Sequence, residues 1–164
     1  MMEHGEVNWY SQRLQRTMNV RVYGSGEGVP MLVFPSQDAM CDNFENFGMI
    51  DVLAGDIESG RIQLFCVDSV DAETWSNVWG DKAWRANRQE LYYAYIIEEV
   101  IPFLRKENRS KRHPIAAGCS LGGMQASLVF FRRPDIFDGV LSLSGSYDAK
   151  YFTDGWMDTT LYDN

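Results

Sequence analysis

The chain is short of histidine, cysteine and positive charge, and each shortage narrows what it can do. Fifteen Lys and Arg stand against 23 Asp and Glu, a net charge of −8. That balance repels phosphate backbones and anionic headgroups over most of the surface, so no nucleic-acid partner and no membrane partner is expected. No apolar run approaches the ~18 to 20 residues that cross a bilayer. Met1 to Asn8 is polar and acidic, unlike the basic-then-apolar start of a secretory leader, and a cytoplasmic setting is expected. The three cysteines, Cys41, Cys66 and Cys119, are an odd number without metal-ligand spacing, and two lie in apolar strand-like runs. Buried free thiols are therefore expected in place of a disulfide framework. There is no repeat, no low-complexity stretch and no Gly/Ser/Pro linker, so residues 1–164 read as one domain, long enough to remove roughly 70% of its unfolded surface from water.

What is present is an alternation of strand and helix signals. Asn19 to Tyr23 alternates Val20 and Val22 with polar residues and stops at Gly24, Gly26 and Gly28, as a half-buried strand and turn would. Met31 to Pro35 and Ile62 to Val67 are mostly apolar without alternation, the pattern of strands covered on both faces. Between them, Cys41 to Ser59 carries Phe44, Phe47, Ile50, Leu53, Ala54 and Ile57 as a helical stripe. A second stripe runs from Leu91 to Leu104, with Arg105 and Lys106 suiting its C-terminal end and Pro102 expected to kink it or end it early. Ile115 to Gly118 reads as a strand, Leu121 to Arg133 as a helix and Val140 to Ser144 as a strand. Such an alternation implies βαβ units, a mostly parallel sheet and a three-layer αβα sandwich. Ligands of such sheets bind beyond the carboxyl ends of the strands.

Gly118, Cys119, Ser120, Leu121 and Gly122 spell G-x-S-x-G between one of those strands and one of those helices. This is the setting of a nucleophile elbow: a strained strand-to-helix turn exposes the Ser hydroxyl, and glycines flank it where a Cβ would collide. The same turn aims the Leu121 amide and the positive helix end at the place where a tetrahedral oxyanion forms. A second oxyanion amide is expected from the loop after Met31 to Pro35, among Ser36, Gln37 and Asp38, unless that loop is an ordinary polar turn. The competing reading of the motif is a glycine-rich turn that only joins strand to helix. Cys119 points away from the elbow's working face and reads as a buried thiol. Trp75, Trp79 and Trp84 read equally as acyl-pocket lining or as packing of a surface helix, and Asp68 and Ser69 end a strand on the same sheet edge.

With these residues in place, the chain resembles the putative esterase family of the α/β-hydrolases, which includes S-formylglutathione hydrolases, feruloyl esterases and mycolyltransferases. The resemblance rests on Met31 to Gln37, Phe65 to Trp75, the Glu90 to Leu104 helix, Ala117 to Met124, and Pro134 through Asp148 with its Ser-Gly-Ser-Tyr-Asp ending. It implies an α/β-hydrolase fold, Ser120 as nucleophile, the Leu121 amide as one oxyanion donor and Gln37 or Asp38 as the other. Many relatives begin the second loop with His-Gly, where this chain has Ser36 and Gln37. The substrate implied is a small-molecule ester or thioester, with no cofactor and no metal.

The general base is missing from this pattern. A serine hydroxyl needs an adjacent base, usually a His oriented by a carboxylate. The only histidines, His4 and His113, both precede Ser120. His113 stands about 20 Å of extended chain before the elbow, at the other end of its strand, and His4 lies on what reads as a mobile terminus. Asp148, just past the last strand, is a candidate acid whose default role is a turn or cap. Asp154, Asp158 and Asp163, in a tail with Trp156 and Tyr162, have no stronger claim. The family supplies the acid and the base on two further strands, so the chain reads as the N-terminal two thirds of an α/β-hydrolase, with the C-terminal strands missing. Val140 to Ser144 would then be an open apolar edge prone to self-association. Two functions follow: a serine ester hydrolase, or a non-catalytic protein that keeps the scaffold. A base supplied by another chain across the open edge is a remoter third.

Overall fold

The computed structural model describes residues 4–153, so the acidic tail with Asp154, Trp156, Asp158, Tyr162 and Asp163 lies outside the described residues. Six strands form one sheet: β1 (His4–Ser11), β2 (Arg16–Tyr23), β3 (Val29–Phe34), β4 (Ile62–Val67), β5 (Ile115–Cys119) and β6 (Gly139–Leu143), in the order β1-β2-β4-β3-β5-β6. The β1–β2 hairpin joins β4 antiparallel, and β4, β3, β5 and β6 run parallel. β1 is not among the strands expected, and His4 belongs to it instead of to a mobile end. Val7 and Trp9 alternate with Glu6 and Asn8, but Tyr10 ends the alternation after four residues, a short run for a strand signal.

The parallel strands are apolar throughout because helices cover both faces. Leu32 and Phe34 of β3, with Phe65 and Val67 of β4, point into a core shared with α4 (Lys82–Tyr95), α5 (Ile101–Glu107) and α6 (Leu121–Arg132). Val33, Leu64 and Cys66 point the other way, onto α1 (Asn43–Asn46), α2 (Met49–Val52) and α3 (Ala54–Glu58). The three-layer αβα sandwich follows from this period-two division of side chains.

Two helical expectations change in detail. The stripe from Cys41 to Ser59 is three short helices, because Gly48 at φ 73° interrupts it once and Leu53, at φ −90° and ψ 1°, a second time, and Phe47 turns outward. The later stripe neither ends nor breaks at Pro102. A five-residue π-turn, Ile96–Val100, opens the ladder just before it, and Pro102 then sits in the first turn of α5, where a missing N–H costs least. Among the described residues no helix is long and apolar enough to cross a membrane.

β6 pairs with β5 and with no other described strand. Leu141 and Leu143 are 50% and 47% exposed, so apolar surface and unpaired backbone coincide at this edge. If the edge mediates self-association, Leu141→Lys/Leu143→Lys will give smaller particles than the parent in light scattering at equal concentration. Identical sizes exclude pairing through this face.

Candidate active site

Ser120 stands between β5 and α6 with φ 57° and ψ −123°, a backbone region that an L-residue occupies only when its surroundings impose it. Those surroundings are close-packed backbone. A Cβ on Gly118 would overlap the carbonyl of Gly122, and one on Gly122 would overlap the carbonyls of Phe34 and Pro35. The glycines of the motif thus let the start of α6 press against both β5 and the end of β3. The Ser120 N–H donates to the Leu143 carbonyl at 2.9 Å, and the Ser120 carbonyl accepts from the N–H groups of Gly123 at 3.0 Å and Ser146 at 3.2 Å. The Ser120 and Ser146 hydroxyls are 3.4 Å apart. Leu121 is the first residue of α6, so its N–H has no acceptor within the helix and points with the helix dipole toward the site.

The loop after β3 comes to the same place. Asp38 has a left-handed φ of 59°. Its N–H donates to the Asp71 carboxylate at 3.3 Å, the Ser36 N–H to Asn43 Oδ1 at 2.9 Å, the Ala39 N–H to the Ser36 carbonyl at 3.0 Å and the Cys41 N–H to Asp68 Oδ1 at 3.1 Å. The Gln37 N–H has no acceptor among the described residues. The loop following β4 is the cradle: besides those two carboxylates, the Ser69 hydroxyl donates to the Ala39 carbonyl at 2.9 Å, and Gln37 Nε2 donates to the Ser76 hydroxyl at 2.8 Å. Asp68 and Ser69, at the strand end that the sequence picked out, hold this loop. Asp71 had no signal: in sequence it is one acidic residue in a polar turn, and only the fold shows it buried. Burial pushes its carboxyl up to about 6, against hydrogen bonds that favour the charged form.

The other candidates are dispersed. His113 is half exposed at the entry to β5, with Nδ1 3.5 Å from Asp138, at the far end of the strand from Ser120. The His4 backbone pairs with Tyr23 on the outermost strand, four strands from β5, roughly 19 Å at the usual strand spacing. The Asp148 carboxylate is exposed and accepts the Lys150 N–H at 3.1 Å, capping the short helix α7 (Lys150–Thr153). Cys119 is a free thiol but only half-buried, because it ends β5 on the face that bears the exposed Leu141 and Leu143; Cys41 and Cys66 are buried and free, as expected. Trp75 packs edge-on against Phe152, their rings 5.8 Å apart, in a small apolar cluster with Leu121 and Met124 beside the elbow. Trp79 is 90% exposed and Trp84 is also exposed, so the three tryptophans do not act together.

Sheet order, layer arrangement and a strained Ser at a β5–α6 elbow define an α/β-hydrolase-type protein. The family model described as "Putative esterase" matches residues 11–158, and the chain belongs to that family. It is 24% identical over 148 residues to the iron(III) enterobactin esterase of Escherichia coli strain K12, a match covering 87% of this chain and 36% of that protein. The S-formylglutathione hydrolase structure from Staphylococcus aureus superposes with a TM-score of 0.70 at 17% identity, covering 99% of this chain and 66% of that one. A ferulic acid esterase from Anaeromyces mucronatus superposes at 0.72 and 11% identity, covering 96% and 65%. The chain therefore spans about a third of the curated relative's length and about two thirds of these structures.

Two outcomes follow. Gly122→Ala forces a Cβ into two carbonyl oxygens, and is expected to cost about 1–3 kcal/mol or more, read as a lower urea midpoint. Asp71, with its carboxyl raised to about 6, keeps in the folded state a proton that the unfolded chain releases near pH 4, so its contribution to stability is lost as pH rises through about 6. The shift is worth about 3 kcal/mol. Asp71→Asn is expected to gain stability on the parent by that order between pH 4 and 7, and a constant difference across that range would show that Asp71 is not titrating there.

Proposed function

We propose that this chain carries the nucleophile and oxyanion hole of a serine carboxylic ester hydrolase. The observation that carries the reading is the backbone of Ser120, held at φ 57° and ψ −123° on the first turn of α6. Ser120 Oγ attacks the carbonyl carbon of an ester or thioester, the tetrahedral oxyanion accepts the Leu121 N–H and the Gln37 N–H, and the alcohol or thiol leaves with a proton. Water then attacks the acyl-Ser120 ester and releases the acid. Gln37 is preferred to Asp38 because the Asp38 N–H is taken by Asp71. The chemistry needs no metal and no organic cofactor. The named relatives, two esterases and a hydrolase, support an ester-type substrate.

The proton of Ser120 needs an acceptor, and neither His113 nor His4 stands at this end of the sheet. Asp148, whose Oδ1 accepts the Lys150 N–H and whose other oxygen stays open among the described residues, offers a carboxylate but no base. This favours, as the second reading, a scaffold that keeps the elbow without turnover. A fluorophosphonate label followed by mass spectrometry separates the two. The esterase reading expects an adduct on Ser120 that is lost in Ser120→Ala, whereas an unlabelled parent leaves the non-catalytic scaffold.

A further inference from the structure

Asp71 is the most demanding group near the site apart from Ser120. It is 1% exposed, and its oxygens face neutral donors: the Asp38 N–H and the Gln125 side-chain amide, each at 3.3 Å, with the Ser69 hydroxyl beside them. Gln125 lies one turn into α6, and its Oε1 accepts from Gln89 Nε2 of α4 at 3.0 Å. A buried carboxylate among neutral groups weakens a fold, and its presence at such a place points to a task other than packing.

We infer that Asp71 is a positioning residue for the oxyanion hole: it holds Asp38 in its left-handed conformation, which leaves the Gln37 N–H as the amide turned to the site, and ties that loop through Gln125 to the helix behind Ser120. The inference rests on the reading of Ser120 as nucleophile. Asp68, Ser69 and Ser76 fasten the loop at Cys41, Ala39 and the Gln37 side chain, but only Asp71 bonds the residue whose backbone is strained. A charged acceptor grips an N–H harder than a neutral one, so the ionised form holds Asp38 best. The titratable groups facing Asp71 are Asp38 from the loop after β3 and Tyr92 and Tyr93 from α4, while α6 presents the neutral Gln125. Burial pushes both tyrosines up, so they stay neutral in the range that matters.

An asparagine side chain fits the same space. If the amides of Gln125 and Gln89 turn over, the carboxamide introduced by Asp71→Asn keeps an acceptor for Asp38 and a donor for Gln125, and Gln89 Oε1, now buried without a partner, gains one. The test is the rate at which a fluorophosphonate modifies Ser120 in the parent, Asp71→Asn and Asp71→Ala, from pH 5 to 8, with urea unfolding alongside. Asp71→Asn is expected to be more stable than the parent at pH 7 yet modified several-fold more slowly, and to lack the parent's loss of rate as pH falls through about 6. Asp71→Ala is expected to lose up to about 10²-fold, the scale of one missing oxyanion donor. A purely structural role would let the more stable Asn variant react as fast as the parent, so an equal rate and an equal pH profile overturn the inference, even if the Ala variant does not fold. A parent that is not modified at all removes the nucleophile reading and this inference with it, a result distinct from labelling that ignores residue 71.

Discussion

The approach of the first turn of α6 to the ends of β3 and β5 is the constraint on which the rest of this structure depends. Gly118 and Gly122 permit it, because their missing Cβ atoms leave room for backbone carbonyls at van der Waals contact. Through it the strained Ser120 is held by backbone bonds on several sides, and the loop after β3 is drawn within reach of the Leu121 amide. A single methyl group at either glycine would part strand from helix. The strain at Ser120 is thus maintained by packing that the whole sheet supports.

A second layer of control comes from the loop after β4. Its carboxylates Asp68 and Asp71 accept backbone N–H groups from the loop after β3, and the Tyr92 hydroxyl of α4 donates to the Asp68 carbonyl at 2.9 Å. Buried hydrogen bonds of this kind fasten the loop after β3 to the loop after β4 and are costly to break. Stability is given up for geometry at Asp71, an exchange common near reactive sites.

The apolar runs of β3, β4 and β5 were legible because burial on both faces demands an unbroken run, and the elbow was legible because glycine has a steric role there that no other residue fills. β1 was not, since its alternation of Val7 and Trp9 with Glu6 and Asn8 stops at Tyr10 and is too short to stand out. The continuity of the helix through Pro102 was hidden because the π-turn that accommodates it leaves no composition signal. The choice between Gln37 and Asp38 turns on which N–H already has an acceptor, and that acceptor, Asp71, lies 33 residues from Asp38 along the chain.

By itself the sequence determined the family, the α/β class and the position of the strained Ser120 turn, because these follow from local patterning and from one motif whose residues lie within five positions of each other. Tertiary structure alone decided which carboxylates are buried, that the Asp38 N–H has an acceptor in Asp71, and that His4 lies on the outer strand. These depend on contacts between segments distant in sequence, where burial and hydrogen-bond partners are set by the packing of the sheet and not by the residues on either side.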